Sequence, residues 1–334
     1  MLITDQWYVA CPTLRLNESE PIAFRIWDQH LVAFRDQNGT AHVLLDRCSH
    51  RGARLSQGTV GKGCIACPYH GWQYNSAGEV IHVPSLGPDR SMPNYSTPSF
   101  ITIEADHYVW VWIAGNHPEP TYHPRLHGID VGTWVQRSAI WNCNAISAAE
   151  NQLDSAHIGF AHAGLHPSRL YDGEMSSLTE GEFLTHVRPT SVTSTWVVEP
   201  GRPPEETASP ENPGLGFLSF ELPYRNYVFL ERQNVRAIIN WVPLSDSQCR
   251  MELMTGASDA QSDLEIQFAT DEPIILKQDR EILEGAQFWL DRNEEFQENV
   301  IADQAILAAR ELVQNALSGR VTTEAIQLRH RSFV

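Results

Sequence analysis

The chain has 334 residues, of which 42% are hydrophobic and 19% charged, so it can bury the cores of two domains and is unlike a disordered protein. A formal net charge of -17 at pH 7 speaks against nucleic acid or an anionic membrane as the main partner. The first residues lack the basic region of a secretory signal, and no apolar run reaches the roughly 20 residues of a spanning helix. We therefore expect a cytoplasmic protein without a membrane partner.

The first part of the chain, to about residue 115, has the pattern of short strands and turns. Residues 23–27 and 31–34 are short apolar or alternating runs, and residues 108–113 are rich in aromatic and β-branched side chains. Residues 37–40 predict a hairpin, because Asn-Gly supplies the positive φ angles of a tight turn. Residues 76–79 predict a second turn of this kind. An all-β first domain follows from this pattern.

Two Cys/His pairs stand out in this region. Cys48-x-His50 is followed, after sixteen residues, by Cys67-x-x-His70. In a cytoplasmic chain cysteines are more often ligands or core thiols than disulfides. Two thiolates and two imidazoles in mixed pairs are the ligand set of a Rieske-type [2Fe–2S] cluster, with both cysteines on one iron and both histidines on the other. Glycines around the pairs would let the backbone fold tightly; they are Gly52, Gly58, Gly61, Gly63 and Gly71.

The alternative for these four residues is a closed Cys2His2 zinc site. Zinc sites usually pair one cysteine with another and one histidine with another, whereas each pair here mixes the two types. The pattern therefore favours the cluster. Cys64 precedes the second pair and is not expected to be a ligand.

The second part of the chain begins after a Pro-rich connection at residues 117–124, which predicts domains at 1–117 and 118–334. Residues 145–160 have helical spacing, residues 200–214 form a polar loop rich in Pro and Gly, and residues 228–230 and 235–241 predict strands. From residue 272 to about 319 the pattern is helical, and its apolar side is supplied by Ile274, Ile275, Ile282, Leu283 and Phe288.

A second set of metal-binding side chains lies in the first of these helical stretches. On a helix Asp154 and His157 share one face, and His162 follows about one and a half turns later. Two histidines near a carboxylate can begin a 2-His-1-carboxylate triad for non-haem iron, which leaves coordination positions open. The alternative is that both are core histidines with ordinary hydrogen bonds. A third ligand would have to come from elsewhere in the chain.

The first of these two sets carries a resemblance to a known family. The run Cys67-Pro68-Tyr69-His70-Gly71-Trp72 is typical of the Rieske non-haem iron oxygenases, and the segment resembles their Rieske domain. It departs from the Rieske proteins of cytochrome complexes, which carry a membrane anchor and an extra disulfide-forming cysteine in each loop. Gly52 and Tyr69 occupy those neighbourhoods here.

The resemblance extends to the histidine segment. Oxygenases of this family carry Asn/Glu-x-x-Asp-x-x-His-x4-His, which matches Asn151, Asp154, His157 and His162. The resemblance implies that both histidines bind a mononuclear Fe(II). It implies that Asp154 is the bridge that hydrogen-bonds a cluster histidine of the neighbouring subunit, and with Asn151 it is a catalytic candidate.

For the third ligand the family supplies an Asp on a later helix, in the pattern acidic-Asp-x4-Glu-x-x-Gln. Asp279, Glu284 and Gln287 match this pattern, and Gln278 departs from it where an acid is common. The resemblance thus implies Asp279 as third ligand, and the competing acids on the same late stretch are Asp291, Glu298 and Asp303.

The implied fold is α+β, with an all-β Rieske domain followed by a helix-grip catalytic domain, an antiparallel sheet with a long helix. The implied function is a terminal oxygenase that uses O2 at the Fe(II) to hydroxylate or oxidatively demethylate a small aromatic or heterocyclic substrate, as in vanillate, dicamba and methylxanthine demethylases. Electrons would come from NAD(P)H through a ferredoxin and/or flavin reductase, since the chain has no Gly-rich nucleotide fingerprint. Head-to-tail packing in a homotrimer would bring the cluster of one subunit beside the iron of the next.

Other functions are compatible with parts of this pattern. The main alternative is a Rieske-type electron carrier without its own oxygenase activity, and a redox sensor or zinc-stapled binding module is a further one. Candidate pocket side chains are Phe160, Leu165, Trp196, Phe217, Phe229 and Trp241, although core packing is the simpler role for each.

Overall fold

The computed structural model describes residues 1–87, 90–129, 133–162, 180–197, 217–230, 235–257, 273–292, 298–320 and 325–333. The chain divides into two compact units. The first unit is Thr4–Arg125, and the second comprises Met1–Ile3 and Leu126–Val334.

The described residues of the first unit form short strands in three antiparallel sheets, in the orders β1-β11-β10, β2-β3-β4-β9 and β5-β6-β7-β8. All six residues of Tyr108–Ile113 are buried, so both faces of this strand are covered. The aromatic and β-branched side chains that predicted a strand here are the ones that fill the core. The all-β prediction is confirmed. The strands are β1 Gln6–Pro12, β2 Ile22–Ile26, β3 Gln29–Arg35, β4 Ala41–Leu45, β5 Thr59–Gly61, β6 Cys64–Ala66, β7 Gln73–Tyr74, β8 Val80–His82, β9 Ser99–Phe100, β10 Thr102–Ala105 and β11 Tyr108–Ile113.

The β3–β4 hairpin lies where the Asn-Gly pair predicts it, but its turn differs in detail. Only Gly39 has a positive φ, of 79°, whereas two positive angles were expected from the pair. The Asp36 carboxylate accepts hydrogen bonds from the N–H groups of Asn38 (2.8 Å) and Thr40 (3.0 Å). This side chain stabilises a longer loop, in which a single glycine in the left-handed region closes the turn.

The second unit contains an eight-stranded antiparallel sheet in the order β12-β18-β17-β16-β15-β14-β13-β19. Helices α1 and α2 follow β12, and helices α3 and α4 follow β18. The predicted α+β architecture of an antiparallel sheet with a long helix is confirmed. The strands are β12 Thr133–Trp141, β13 Glu180–Arg188, β14 Ser191–Val197, β15 Phe217–Glu221, β16 Arg225–Leu230, β17 Val235–Ser245, β18 Gln248–Ala257 and β19 Ile326–Phe333; the helices are α1 Ala145–Asn151, α2 Ile158–Ala161, α3 Ile274–Leu290 and α4 Gln304–Leu317.

The prediction of a continuous helix over residues 145–160 is wrong. Helix α1 ends at Asn151, and the one-turn helix α2 begins only at Ile158. Between them the Asp154 carboxylate accepts a hydrogen bond from the Ala156 N–H at 2.8 Å. Aspartate favours such local turns over a helix interior, because its short side chain competes for backbone N–H groups. His157 therefore precedes α2 and His162 follows it, so the helical spacing assumed for them does not apply.

The long helical stretch predicted from residue 272 is also interrupted. Residues 298–300 are not helical, and the Asp303 carboxylate accepts a hydrogen bond from the Val300 N–H (2.7 Å) just before α4. The predicted apolar side of α3 is not its buried side: Ile274, Ile282 and Phe288 are 49%, 55% and 49% exposed. The side chains of α3 that are fully buried are Leu276, Asp279 and Gln287.

Helix α1 is fixed to the sheet by polar contacts as well as by apolar packing. The Asn226 side-chain amide of β16 donates to the Ala149 carbonyl (3.0 Å) and accepts from the Trp241 indole N–H (2.9 Å). Trp241 in turn packs edge-on against Trp141, with ring centroids 4.7 Å apart. These contacts tie the end of α1, where the candidate site begins, to the middle of the sheet.

None of the helices in the described ranges combines the length and apolar character needed to cross a membrane. The polar loop predicted at residues 200–214 lies outside the described residues.

Candidate functional site

The first candidate site lies on two loops of the first unit that close in the same way. The Cys48 N–H donates to the Ala53 carbonyl (2.8 Å), and the Gly52 N–H donates back to the Cys48 carbonyl (2.9 Å). In the other loop the Cys67 N–H donates to Trp72 (2.8 Å) and the Gly71 N–H to Cys67 (3.0 Å).

Gly52 and Gly71 have φ angles of 74° and 69°, which a side chain would strain. Each cysteine thus begins a tight loop that a glycine closes. This arrangement explains why glycines accompany both Cys/His pairs.

The four predicted cluster residues meet at these loops. Cys48 and Cys67 are buried, and burial raises the pKa of the Cys67 thiol. The rings of His50 and His70 lie 4.6 Å apart at a steep angle. Burial, followed by the neighbouring His70 and Arg51, lowers the pKa of His50 and favours the neutral imidazole that binds metals.

One ring atom tests whether this residue set fits a cluster. The Nδ1 atom of His50 is buried and has no hydrogen-bond partner among the described residues. A buried polar atom without a partner is costly unless something else binds it. Two buried thiols, two imidazoles and this free ring nitrogen fit a [2Fe–2S] group.

Side chains that the sequence did not single out surround the first cysteine. The Tyr74 hydroxyl lies 3.1 Å from the Cys48 Sγ, and it accepts a hydrogen bond from the Ser49 N–H at 2.9 Å. The Ser49 hydroxyl lies 3.0 Å from the same oxygen. Because a metal-bound thiolate can only accept, the Tyr74 hydroxyl would donate its proton to Cys48 in a protein that holds the cluster. Burial raises the pKa of Tyr74 to about 12, so the phenol stays a donor.

This contact leads to a prediction about the cluster. We expect Tyr74→Phe to lower the reduction potential by roughly 50 mV, because a hydrogen bond to a cluster thiolate, worth about 1 kcal/mol, stabilises the more negative reduced state. A redox titration followed by circular dichroism measures the change. Tyr95→Phe is the matched control, since the Tyr95 ring stacks on Trp72 and not on a cysteine. Equal potentials in wild type and Tyr74→Phe would contradict the prediction.

Trp72 and Cys64 also lie near the two loops, and neither contacts a cluster cysteine in the way that Tyr74 does. Trp72 stacks in parallel on His50, with centroids 4.6 Å apart, and so covers one face of that ring. Cys64 lies in β6, and its thiol donates to the Lys62 carbonyl at 3.6 Å.

The second candidate site lies in the second unit, around the ends of α2. One ligand atom from each of His157, His162 and Asp279 can be chosen so that all lie within 4.8 Å of one another. The Oδ1 atom of Asp279 is 3.4 Å from His157 Nε2 and 3.1 Å from His162 Nε2. The carboxylate comes from α3, while the histidines flank α2. Asp279 and His162 are each only 2% exposed.

The charges of this group favour a bound cation. Burial alone would raise the pKa of Asp279, but hydrogen bonds from both histidines outweigh it and hold that pKa below its ordinary value. Burial would likewise lower the pKa of His157, yet Asp154 and Asp279 raise it to about 9. Two carboxylates thus hold a positive charge between them. A divalent metal would supply that charge in place of a proton.

Asp154 and Asn151 lie beside this group. The Oδ2 atom of Asp154 is 3.6 Å from His157 Nδ1, longer than a standard hydrogen bond, and the Asp154 side chain is 28% exposed. The side-chain amide of Asn151 donates to Asp279 Oδ1 at 3.4 Å. The Asp154 carboxylate thus has Oδ2 beside a histidine and Oδ1 on the Ala156 N–H, and it stays partly exposed to solvent.

The three competing acids have other positions. Asp291 follows α3 and accepts from the Gln287 side-chain amide (2.8 Å), while Asp303 accepts from the Val300 N–H (2.7 Å). Glu298 is exposed. None of the three belongs to the group formed with the two histidines in the described residues.

The other two residues of the late-helix pattern hold α3 against the start of α1. Glu284 accepts from the Asn142 N–H (2.8 Å), and Gln287 accepts from the Asn144 N–H (2.9 Å). Asn144 caps α1 by accepting from the Ser147 N–H at 2.8 Å. The spacing Asp-x4-Glu-x-x-Gln thus places Asp279 on the same helix as Glu284 and Gln287, the two residues that bind the segment before α1.

An ion pair that the sequence did not reveal fixes α1 from the other side. Arg310 of α4 contacts the Glu150 carboxylate through two nitrogens, at 2.6 and 2.8 Å. Burial raises the pKa of Glu150, although the arginine opposes this effect. Glu150 immediately precedes Asn151, so the pair restrains the backbone that carries the candidate site.

We expect Arg310→Ala to lower the midpoint of thermal unfolding by roughly 5–10 °C, because it leaves a buried carboxylate without its partner. Differential scanning calorimetry measures the shift. The double variant Glu150→Met/Arg310→Leu should recover much of the loss, since an apolar pair needs no charge compensation. A midpoint unchanged in Arg310→Ala would show that the pair contributes nothing.

The pocket candidates do not form one set. Phe217 and Phe229 pack edge-on with centroids 4.8 Å apart, on the sheet face opposite to that of Asn226 and Trp241. Phe160 is exposed. Leu165 and the side chain of Trp196 lie outside the described residues.

Comparison with known proteins identifies the first unit. The Rieske [2Fe-2S] domain family matches residues 6–100. The oxygenase component of dicamba O-demethylase from Stenotrophomonas maltophilia is 34% identical over 167 residues, 48% of each chain. The oxygenase subunit of 3-chlorobenzoate-3,4-dioxygenase from Comamonas testosteroni is 24% identical over 305 residues, 87% of this chain and 68% of that subunit. Alignments to two further curated relatives cover 30% of their length.

The similarity in fold extends over both units. The crystal structure of dicamba monooxygenase bound to dicamba matches 95% of this chain and 98% of its own, with a TM-score of 0.75 and 19% identity. The Rieske match, the relative aligned over most of the chain and this fold agree. The chain thus carries a Rieske [2Fe-2S] domain at residues 6–100, is similar in sequence to oxygenase subunits, and shares the fold of dicamba monooxygenase over both units.

Proposed function

We propose that the chain uses O2 and electrons from a separate reductase to hydroxylate or oxidatively demethylate a small aromatic or heterocyclic substrate. The observation that carries this proposal is the group of His157, His162 and Asp279, whose chosen ligand atoms lie within 4.8 Å of one another. An electron carrier without oxygenase activity has no use for such a group.

In this proposal His157, His162 and Asp279 hold a mononuclear Fe(II) and leave its other coordination positions open. When bound, the ferrous ion supplies O2 activation and the [2Fe–2S] cluster supplies electrons one at a time. The protein's own task is orientation, since the buried Asp279 carboxylate faces the Nε2 atoms of both histidines. The burial of Asp279 and His162 also limits the access of water to the site.

Cys48, Cys67, His50 and His70 would hold the cluster, the cysteines on one iron and the histidines on the other. The buried thiols and the unpartnered Nδ1 of His50 support this assignment. His70 is exposed, so one ligand edge faces outwards from its unit.

We further propose that Asp154 connects the two centres across a subunit boundary, with Asn151 helping to orient Asp279. The exposed part of the Asp154 carboxylate would accept a hydrogen bond from His70 of a neighbouring subunit, while its Oδ2 atom faces His157. A carboxylate between two imidazoles would fix both tautomers. Head-to-tail packing into a homotrimer would supply this arrangement three times.

The names of the relatives support the substrate class. They describe O-demethylation of dicamba, N1-demethylation of methylxanthine and 3,4-dioxygenation of 3-chlorobenzoate. We propose a substrate of this size and aromatic character. Its electrons would come from NAD(P)H through a ferredoxin and/or flavin reductase, in the cytoplasm.

Iron analysis of the purified protein tests the proposal directly. We expect roughly three irons per chain, two with the spectrum of a Rieske cluster and one removable by a ferrous chelator. Only two irons in a fully active protein would exclude the mononuclear site, and a colourless zinc protein would exclude the cluster as well. Product formation from aromatic acids and N-methyl heterocycles, with NADH and a surrogate reductase, would then identify the substrate.

A further inference from the structure

We propose that Gln278 is a positioning residue that fixes the ring of His162 through a neutral amide, so that the two histidines of the site are supported unequally. The inference rests on the proposed function, because it concerns the proposed iron ligand His162. Gln278 is also where the late-helix pattern departs from the acid that is common in the family.

The contact itself is short and well defined. The Gln278 side-chain carbonyl Oε1 lies 3.0 Å from His162 Nδ1. An amide oxygen can only accept, so in this contact Nδ1 carries the proton. A bound metal ion would take the place of the hydrogen bond between His162 Nε2 and Asp279 Oδ1 (3.1 Å), and with the proton on Nδ1 the Nε2 atom would supply the electron pair. The amide thus selects the tautomer with the proton on Nδ1, and this tautomer leaves Nε2, the nitrogen nearer to Asp279, able to bind a metal ion.

The geometry of α3 allows one helix to act on both sides of the ring. Gln278 and Asp279 are consecutive, and consecutive helical side chains diverge by about 100°. One of them contacts Nδ1 and the other Nε2 of the same imidazole. Since His162 is almost fully buried, its ring has little room to rotate away from these two contacts. A shift of α3 would therefore move the ligand Asp279 and the support of His162 together.

The second histidine is supported differently. The Asp154 carboxylate lies 3.6 Å from His157 Nδ1, beyond hydrogen-bond distance, and Nδ1 has no hydrogen-bond partner among the described residues. A carboxylate behind an imidazole raises its basicity as a ligand, whereas an amide fixes the tautomer without adding negative charge. We therefore expect His162 to be the less electron-donating of the two histidines in the metal-bound protein. With Asp154 and Asp279 already present, a neutral partner also keeps a third carboxylate out of a buried site.

Three variants of the holo-protein test the inference. Gln278→Leu removes the acceptor, Gln278→Glu keeps an acceptor but adds charge, and Lys277→Leu is the matched control at the exposed neighbouring position. The readout is the apparent Kd of the mononuclear site for Fe(II), from anaerobic competition with a chromogenic chelator. We expect Gln278→Leu to bind about 10- to 100-fold more weakly, and Lys277→Leu to match wild type. Gln278→Glu should bind at least as tightly as wild type, as expected for rescue by an alternative acceptor.

A second readout separates positioning from folding. With Co(II) in the mononuclear site, the ligand-field absorption should change in Gln278→Leu and Gln278→Glu but not in Lys277→Leu, while the cluster spectrum stays constant in all three. Wild-type affinity in Gln278→Leu would overturn the inference, and so would equal weakening in Gln278→Leu and Gln278→Glu. Absence of any chelatable third metal in the wild-type protein would instead overturn the proposed function, and the inference with it.

Discussion

Asp279→Ala is expected to abolish turnover and to weaken Fe(II) binding at the mononuclear site by more than about 100-fold. Loss of a partner behind a ligand costs about 10- to 100-fold, and loss of the ligand itself should cost more. Asp279 Oδ1 also lies within 3.4 Å of the Nε2 atoms of both histidines, so its removal takes away their common acceptor and leaves the buried imidazole of His162 without it. Metal analysis after gel filtration, together with the visible spectrum of the cluster, measures the effect.

Asp291→Ala is the matched control, because it removes a competing acid just after the same helix. That variant should keep both the iron and the activity, since Asp291 contacts Gln287 and not a histidine. If Asp291→Ala lost the iron and Asp279→Ala kept it, the assignment of the third ligand would be reversed. Unchanged cluster absorption in both variants would show that any loss is confined to the second unit.

Asp154→Asn is expected to leave both metal centres filled yet to slow reoxidation of the reduced cluster by about 100-fold or more, because the proposed bridge loses its charge. Asparagine keeps the side-chain oxygen that accepts from the Ala156 N–H, so the turn before α2 should persist. Stopped-flow mixing of the chemically reduced protein with substrate and O2 measures the cluster reoxidation rate directly.

The variant Asp154→Ala distinguishes the proposed role of Asp154 as a bridge from its role in stabilising the turn before α2. It should add a loss of mononuclear iron, because without the cap the position of His157 is no longer fixed. Wild-type reoxidation rates in Asp154→Asn would rule out the proposed bridge, whatever the result for Asp154→Ala. His157→Ala, which should lose the mononuclear iron but keep the cluster spectrum, shows how a protein with only the cluster behaves in the same assay.

The Cys/His loops could be predicted from the sequence because everything that forms them is local. Each cysteine, its histidine and the glycine that closes the loop fall within five residues. The hydroxyl of Tyr74 could not be recognised in this way. Its contact with Cys48 links residues 26 positions apart and depends on the pairing of short strands.

The second site was predictable in its residue types but not in its backbone. The pattern of residues 145–160 suggested one helix, and the turn capped by Asp154 interrupts it. Hydrophobic periodicity also failed on α3, because the face that packs inwards carries Asp279 and Gln287. A helix whose buried side is polar cannot be oriented by apolar spacing. That His157 and His162 bind iron together with Asp279 stays a prediction.

The hydrogen bonds and the ion pair that hold α1 in place make the assembly of the second site depend on the folding of its whole unit. Contacts from β16, α3 and α4 all meet the segment from Asn142 to Asn151, across as many as 160 residues of sequence. We therefore expect a fragment that lacks one of these elements to lose the approach of the two histidines to Asp279. Binding of a metal ion at this site would therefore stabilise the complete unit against unfolding, and a protein variant destabilised anywhere among these contacts would show its defect first as a lower iron content.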